Sequence, residues 1–177
     1  MKSYTSDDLK EIEKAIVFMI DCFSKCCKNE KPVILHSIEV GMKVMNMSKP
    51  IEIVQAGIIH DLLEDSDCKE NEIEEKFGKR VKELVLALTF DETIVDYKKR
   101  WQEAIQRIVN AGTDAMTIKI VDNLQNLPYF VKVYDKKRKK ELIWKYKLTI
   151  DSFEHYLKDD KSFEEYKKAV SVIGNCE

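Results

Sequence analysis

The sequence predicts an all-α fold, and three observations carry that prediction. Five glycines and three prolines among 177 residues are too few for the turns of a sandwich or barrel. Apolar residues recur at three- and four-residue steps through most of the chain. The 44% hydrophobic and 35% charged content is the balance of a globular protein, which excludes a disordered or fibrous chain. The length fits a single domain over 1–177, and no repeat, linker or low-complexity tract divides it.

From Ser6 to about Lys28, the positions Leu9, Ile12, Ala15, Ile16, Met19, Ile20 and Phe23 form an apolar stripe, with capping oxygens at Ser6-Asp7-Asp8. A polar stretch, Lys28-Asn29-Glu30-Lys31, leads to Pro32, which starts a second helix through Val33, His36, Val40, Val44 and Met47. Ser48-Lys49-Pro50 separates this from a third helix, Ile51 to about Asp65, apolar on most faces and therefore central. Asp67 to Phe77 reads as a short acidic helix stopped by Gly78, and Val81, Leu84, Val85 and Leu88 mark the next. Two more run from about Ile94 to Asn110 and from Asp114 to Asn126, divided by Gly112. The basic run Lys136-Lys137-Arg138-Lys139-Lys140 reads as a solvated loop entering a long helix marked by Leu142, Tyr146, Ile150, Phe153 and Leu157. Phe163, Tyr166, Val170 and Ile173 outline a terminal helix.

A formal net charge of −2 supplies no global field for nucleic-acid binding, so an anionic ligand must be held locally. The five cysteines, Cys22, Cys26, Cys27, Cys68 and Cys176, are odd in number, and the N-terminus has no apolar signal stretch. Both observations predict a reducing cytoplasm. Cys22 and Cys26 share a helix face, but no second pair follows at zinc-site spacing, so they read as spectator thiols. No segment approaches the roughly 20 apolar residues of a membrane span.

Chemistry concentrates in the run HDLLED. His60, Asp61, Glu64 and Asp65 interrupt an otherwise apolar helix, and helical spacing puts Glu64 one turn from both His60 and Asp61 and Asp65 one turn from Asp61. Burying unpaired carboxylates is costly, so a cation is a natural partner. In IKIVDNLQN, Asp122 follows an apolar run and shares a face with Asn126; His36 sits among apolar neighbours in VILHSIEV. Singly, His36 and Asp122 suit a core histidine and a helix cap. Two His with two Asp make a mixed nitrogen and oxygen shell suited to Mn²⁺, Fe²⁺, Co²⁺ or Zn²⁺ rather than Ca²⁺ or Mg²⁺.

A His, then His-Asp, then a later Asp on predicted helices resembles the HD superfamily of metal-dependent phosphohydrolases. Within it, HDLLEDSD followed by EIEEKFGKRVKELVLALT, together with IKIVDNLQN, is similar to the hydrolase domain of the RelA/SpoT alarmone enzymes and their small stand-alone relatives. The resemblance runs from about Lys28 to Tyr146. It implies a compact multi-helix HD bundle, a divalent cation, Mn²⁺ first, held by His36, His60, Asp61 and Asp122, and a catalytic acidic pair, Glu64 and Asp65. It further implies nucleotide contacts from Lys28, Lys119, Asn126 and Tyr146. Lys119 equally suits a solvated helix residue, and Tyr146 a core position. The implied reaction removes pyrophosphate from the 3′ position of ppGpp or pppGpp to give GDP or GTP, in a monomer or homodimer without nucleic-acid or membrane partners.

The chain departs from the family pattern at five positions. Cys27 stands where the family has an Arg that stacks on guanine, Val33 and Ser37 replace a Tyr and a Pro, and Asn123 and Gln125 stand in the D-[RK]-L-[HY]-N segment. The metal set is intact, but Cys cannot reproduce arginine stacking. Two further readings therefore stand beside the first: an HD phosphohydrolase acting on a dNTP, a nucleoside monophosphate or an NADPH-like dinucleotide, and a silent nucleotide-binding regulatory module.

Overall fold

The computed structural model describes residues 4–29, 31–130 and 135–174, and among these its regular structure is all helix, with no strand. Its contacts gather into two compact units, 1–91 and 92–177. No helix among the described residues is long and apolar enough to cross a membrane. Cys22, Cys26, Cys27 and Cys68 are free thiols, and burial pushes that of Cys68 up to about 12. Cys176 lies outside the described residues.

In the first unit, α1 (Ser6–Lys25), α2 (Val33–Asn46), α3 (Ile51–Ile59), α4 (Leu62–Asp65), α5 (Glu70–Phe77) and α6 (Lys79–Leu88) follow in order. Thr5 rather than Ser6 caps α1: its Oγ1 accepts from Asp8 N at 3.1 Å while Asp8 Oδ2 accepts from Thr5 N at 2.8 Å. Of the expected stripe, Ile12, Ala15, Met19 and Phe23 are buried, whereas Leu9 and Ile20 are exposed. The third helix is central, as its all-round apolarity predicts. Residues Ile53 to Ile59 are all buried, and the helix packs on α1, α2 and α6.

Three boundaries in this unit differ from expectation. The first helix ends at Lys25, which leaves Lys28 in the loop. The third ends at Ile59, not near Asp65, and His60-Asp61 form a turn before α4. The cause is local: His60 Nδ1 lies 2.9 Å from the carbonyl oxygen of Gly57, the acceptor that the amide of Asp61 would use in an unbroken helix. The acidic helix begins at Glu70, where Glu72 Oε2 accepts from Lys69 N at 2.8 Å. It ends at Gly78, whose φ of 84° a side chain would strain.

The second unit holds α7 (Tyr97–Ala111), α8 (Thr113–Phe130), α9 (Lys136–Leu157) and α10 (Lys161–Gly174). The α8 helix packs on α7, α9 and α10, and an unbroken stretch from Ala115 to Asn123 is buried. Asp96 caps α7 by accepting from Lys99 N at 2.8 Å, so this helix starts three residues later than expected. The basic run is helical rather than a loop, because Asp135 accepts from Arg138 N at 2.6 Å and starts α9 ahead of it.

Asn123 is fully buried and donates to the Tyr166 hydroxyl at 3.2 Å, which in turn donates to the Tyr146 carbonyl at 3.3 Å. This departure from the family pattern thus has a packing role. Tyr166→Phe strands the Asn123 donor in the interior and is expected to cost about 1–2 kcal/mol, read from the midpoint of urea unfolding.

Candidate metal centre

The first unit brings His36, His60 and Asp61 together. The two imidazole centroids are 5.4 Å apart. His60 Nε2 lies 3.1 Å from Asp61 Oδ1, and His36 Nε2 lies 3.8 Å from Asp61 Oδ2. A carbonyl can only accept, so the contact with Gly57 makes His60 Nδ1 the donor and turns Nε2 toward Asp61 as the ligating nitrogen. Both histidines are buried, at 2% and 3% exposure.

Asp61 Oδ2 is buried and accepts no hydrogen bond among the described residues. The Lys31 ammonium stands off at 3.7 Å. A buried carboxylate oxygen left in this way costs free energy that a cation would recover. Two imidazole nitrogens with carboxylate oxygens are the donor set of a divalent transition metal, so these residues fit such an ion.

The acidic pair lies just beyond, each member tied to a distant backbone or loop group. Glu64 Oε1 accepts from Phe90 N at 2.7 Å, beyond the C-terminus of α6, where Thr89 Oγ1 donates to Val85 O at 2.9 Å. Asp65 Oδ2 accepts from Asn29 Nδ2 at 2.8 Å. Burial pushes the Asp65 carboxyl above the ordinary carboxylate range; the Asn29 hydrogen bond opposes this, and the charge of Asp61 adds to it. Lys28 is anchored to the end of α4: its Nζ donates to Ser66 O at 2.9 Å and lies 3.2 Å from Asp67 Oδ1. Val33 and Ser37 are buried on α2, and Cys27 is exposed.

In the second unit, both oxygens of Asp122 are engaged. Lys119 Nζ lies 2.8 Å from Oδ2, and Asn126 Nδ2 donates to Oδ1 at 2.6 Å. Lys119 is 6% exposed and so is not a solvated helix residue. Its ammonium stands 5.0 Å from the centre of the Trp101 ring, and that of Lys145 stands 4.5 Å from the same ring. Tyr146 is buried edge-on to Tyr166, and burial raises its hydroxyl pKa. Asn29 and Lys31 read from sequence only as parts of a polar loop, and Phe90, Trp101 and Lys145 carry no sequence signal for the site. Each of these contacts spans 18 or more residues, and nothing in local spacing signals it.

A family model described as HD domain matches residues 15–145. The guanosine-3′,5′-bis(diphosphate) 3′-pyrophosphohydrolase of Aquifex aeolicus is 32% identical over 116 residues, 64% of this chain and 16% of that protein. The mouse enzyme MESH1, of the same description, is 32% identical over 98 residues, 54% of either chain. The chain thus spans about half or less of these relatives' length. Among solved structures, a metazoan ortholog of SpoT that hydrolyzes ppGpp superposes with a TM-score of 0.71 at 19% identity, over 98% of this chain and 96% of that one. Lmo0812 of Listeria monocytogenes does so at 0.69 and 24% identity, over 78% and 92%. These likenesses establish the all-α fold.

Proposed function

The chain belongs to the HD domain family, and from that premise we propose that it is a metal-dependent phosphohydrolase that removes pyrophosphate from the 3′ position of ppGpp or pppGpp. The observation that carries the reading is the His36, His60 and Asp61 cluster with its buried carboxylate oxygen, flanked by Glu64 and Asp65. Relatives at 32% identity described as 3′-pyrophosphohydrolases support the substrate. We take Asp122 as the fourth ligand, as the family pattern implies, Mn²⁺ as the metal, both halves of the chain as one functional domain, and the cytoplasm as its compartment.

When bound, a divalent cation supplies Lewis acidity toward a water and a phosphoryl oxygen. The rest falls to the chain. Glu64, fixed by the Phe90 amide, orients the attacking water and takes its proton. Asp65 holds a proton more readily than an ordinary carboxylate and passes it to the departing O3′. The water oxygen bonds to the 3′-linked phosphorus, the P–O3′ bond breaks, and GDP or GTP leaves with pyrophosphate. Lys119 and Asn126 hold the Asp122 carboxylate in one orientation. Lys28 and Asn126 are the proposed nucleotide contacts, and Tyr146, 2% exposed against Tyr166, takes its core alternative.

A second reading, hydrolysis of another nucleotide, is favoured by Cys27, exposed where the family stacks an Arg on guanine. A panel of ppGpp, GTP, dGTP and NADPH, assayed for pyrophosphate and phosphate release with Mn²⁺ and after chelation, separates the two. Metal-dependent pyrophosphate release from ppGpp alone is the expected result. Activity confined to another nucleotide reassigns the substrate, and silence on all four favours a binding module.

A further inference from the structure

The N-terminal ends of α7 and α9 enclose a cleft of about 520 Å³ lined by Lys98, Lys136, Lys137, Lys140, Glu141 and Trp144. None of these belongs to the proposed metal or catalytic set. Four ammonium groups face one carboxylate, and Glu141 already meets Arg138 Nη1 at 3.3 Å. Like charges crowded in this way repel one another, and a polyanion would relieve the repulsion. Aromatic rings hold part of the array in place. Lys98 Nζ sits 5.4 Å from the centre of the Trp144 ring, the Arg138 guanidinium 5.4 Å from that of Tyr97, and the two rings are 6.3 Å apart. Lys136 and Lys140 lie one helical turn apart, so their ammonium groups can reach the same ligand.

Two properties select the ligand class. The volume is that of a small-molecule site, which spans roughly 300–1,000 Å³, and a net charge of −2 supplies no global field to draw a nucleic-acid strand. Lysines act as point charges without the planar fork of arginine, which suits phosphate oxygens spread along a chain. We propose that this cleft binds a condensed phosphate chain, either free or as the phosphate tail of a nucleotide, with Lys98, Lys136, Lys137 and Lys140 as its cations and Trp144 as its apolar wall.

Calorimetric titration of the full-length protein with tripolyphosphate, in excess chelator to silence any metal centre, tests this directly. Saturable one-site binding is expected, weakening as salt is raised to about 0.5 M. The double substitution Lys136→Gln/Lys140→Gln, and separately Lys98→Gln, should each weaken binding by about tenfold or more with an unchanged melting temperature. ATP binding no tighter than tripolyphosphate identifies the free chain as the ligand. Tighter ATP binding that Trp144→Leu abolishes identifies the nucleotide tail. Full affinity in both lysine variants, absence of binding once metal is chelated, or binding only to a single-stranded RNA oligonucleotide would overturn the proposal.

Discussion

Under the proposed function, Asp61→Asn is expected to abolish metal-dependent pyrophosphate release from ppGpp, by roughly 10³-fold or more, and to strip the metal from the purified protein. Asp61 is the carboxylate common to both imidazoles, at 3.1 Å from His60 Nε2 and 3.8 Å from His36 Nε2. Replacing one oxygen by an amide nitrogen removes the negative charge and turns N–H donors toward whichever imidazole nitrogen faced that oxygen. The shape of the side chain is preserved, and the folded state loses a partly buried negative charge, so the melting temperature should fall little or rise. Retained stability together with lost metal, measured by elemental analysis beside the melting curve, separates a ligand from a packing residue. His155→Ala is the matched control. The third histidine is exposed near the end of α9, its ring against Tyr156, and its loss should leave turnover within about twofold. Equal activity in Asp61→Asn and wild type would remove Asp61 from the metal set.

What the sequence made legible were features carried by short-range periodicity. The all-round apolarity of Ile53 to Ile59 correctly marks α3 as central, and Gly78 and Gly112 end their helices with φ of 84° and 98°. His36, His60 and Asp61 are predicted as partners and meet in the first unit. Several of the helix boundaries that differ share one cause, side chains that compete for backbone groups. His60 takes the Gly57 carbonyl and breaks the helix that the HDLLED spacing extends to Asp65, and Asp135 starts a helix where the charge run suggests a loop. The ties of Glu64 to Phe90 and of Asp65 to Asn29 span 26 and 36 residues, and no local pattern encodes them. Asn123 shows the same limit from the other side. Its difference from the family pattern is visible in the sequence, but its hydrogen bond to Tyr166, 43 residues away, is not.

The close approach of the two histidine-bearing segments depends on Gly41, and Gly41→Ala is expected to be damaging where Gly57→Ala is not. A Cβ built on Gly41 would overlap Cγ1 of Ile58, a buried atom in the middle of a side chain and not a free end. A Cβ on Gly57 would meet Val44 Cγ2 at 3.4 Å and Gly41 Cα and Val40 Cγ1 at 3.7 Å, ordinary contact distances. Both residues are helical, so alanine gains up to about 1 kcal/mol of helix propensity at either site. Overpacking outweighs that gain at Gly41, for a net loss of about 1–3 kcal/mol, whereas Gly57→Ala should be neutral or mildly stabilising. The damage reaches the chemistry because Gly41 lies five residues after His36 and Ile58 two before His60. Forcing α2 away from α3 draws His36 Nε2 from Asp61 and should lower metal affinity roughly 10–100-fold, in line with other disturbances of ligand orientation. Urea unfolding and metal titration of the two variants decide the point: the geometry predicts opposite signs of stability change and loss of affinity in Gly41→Ala alone.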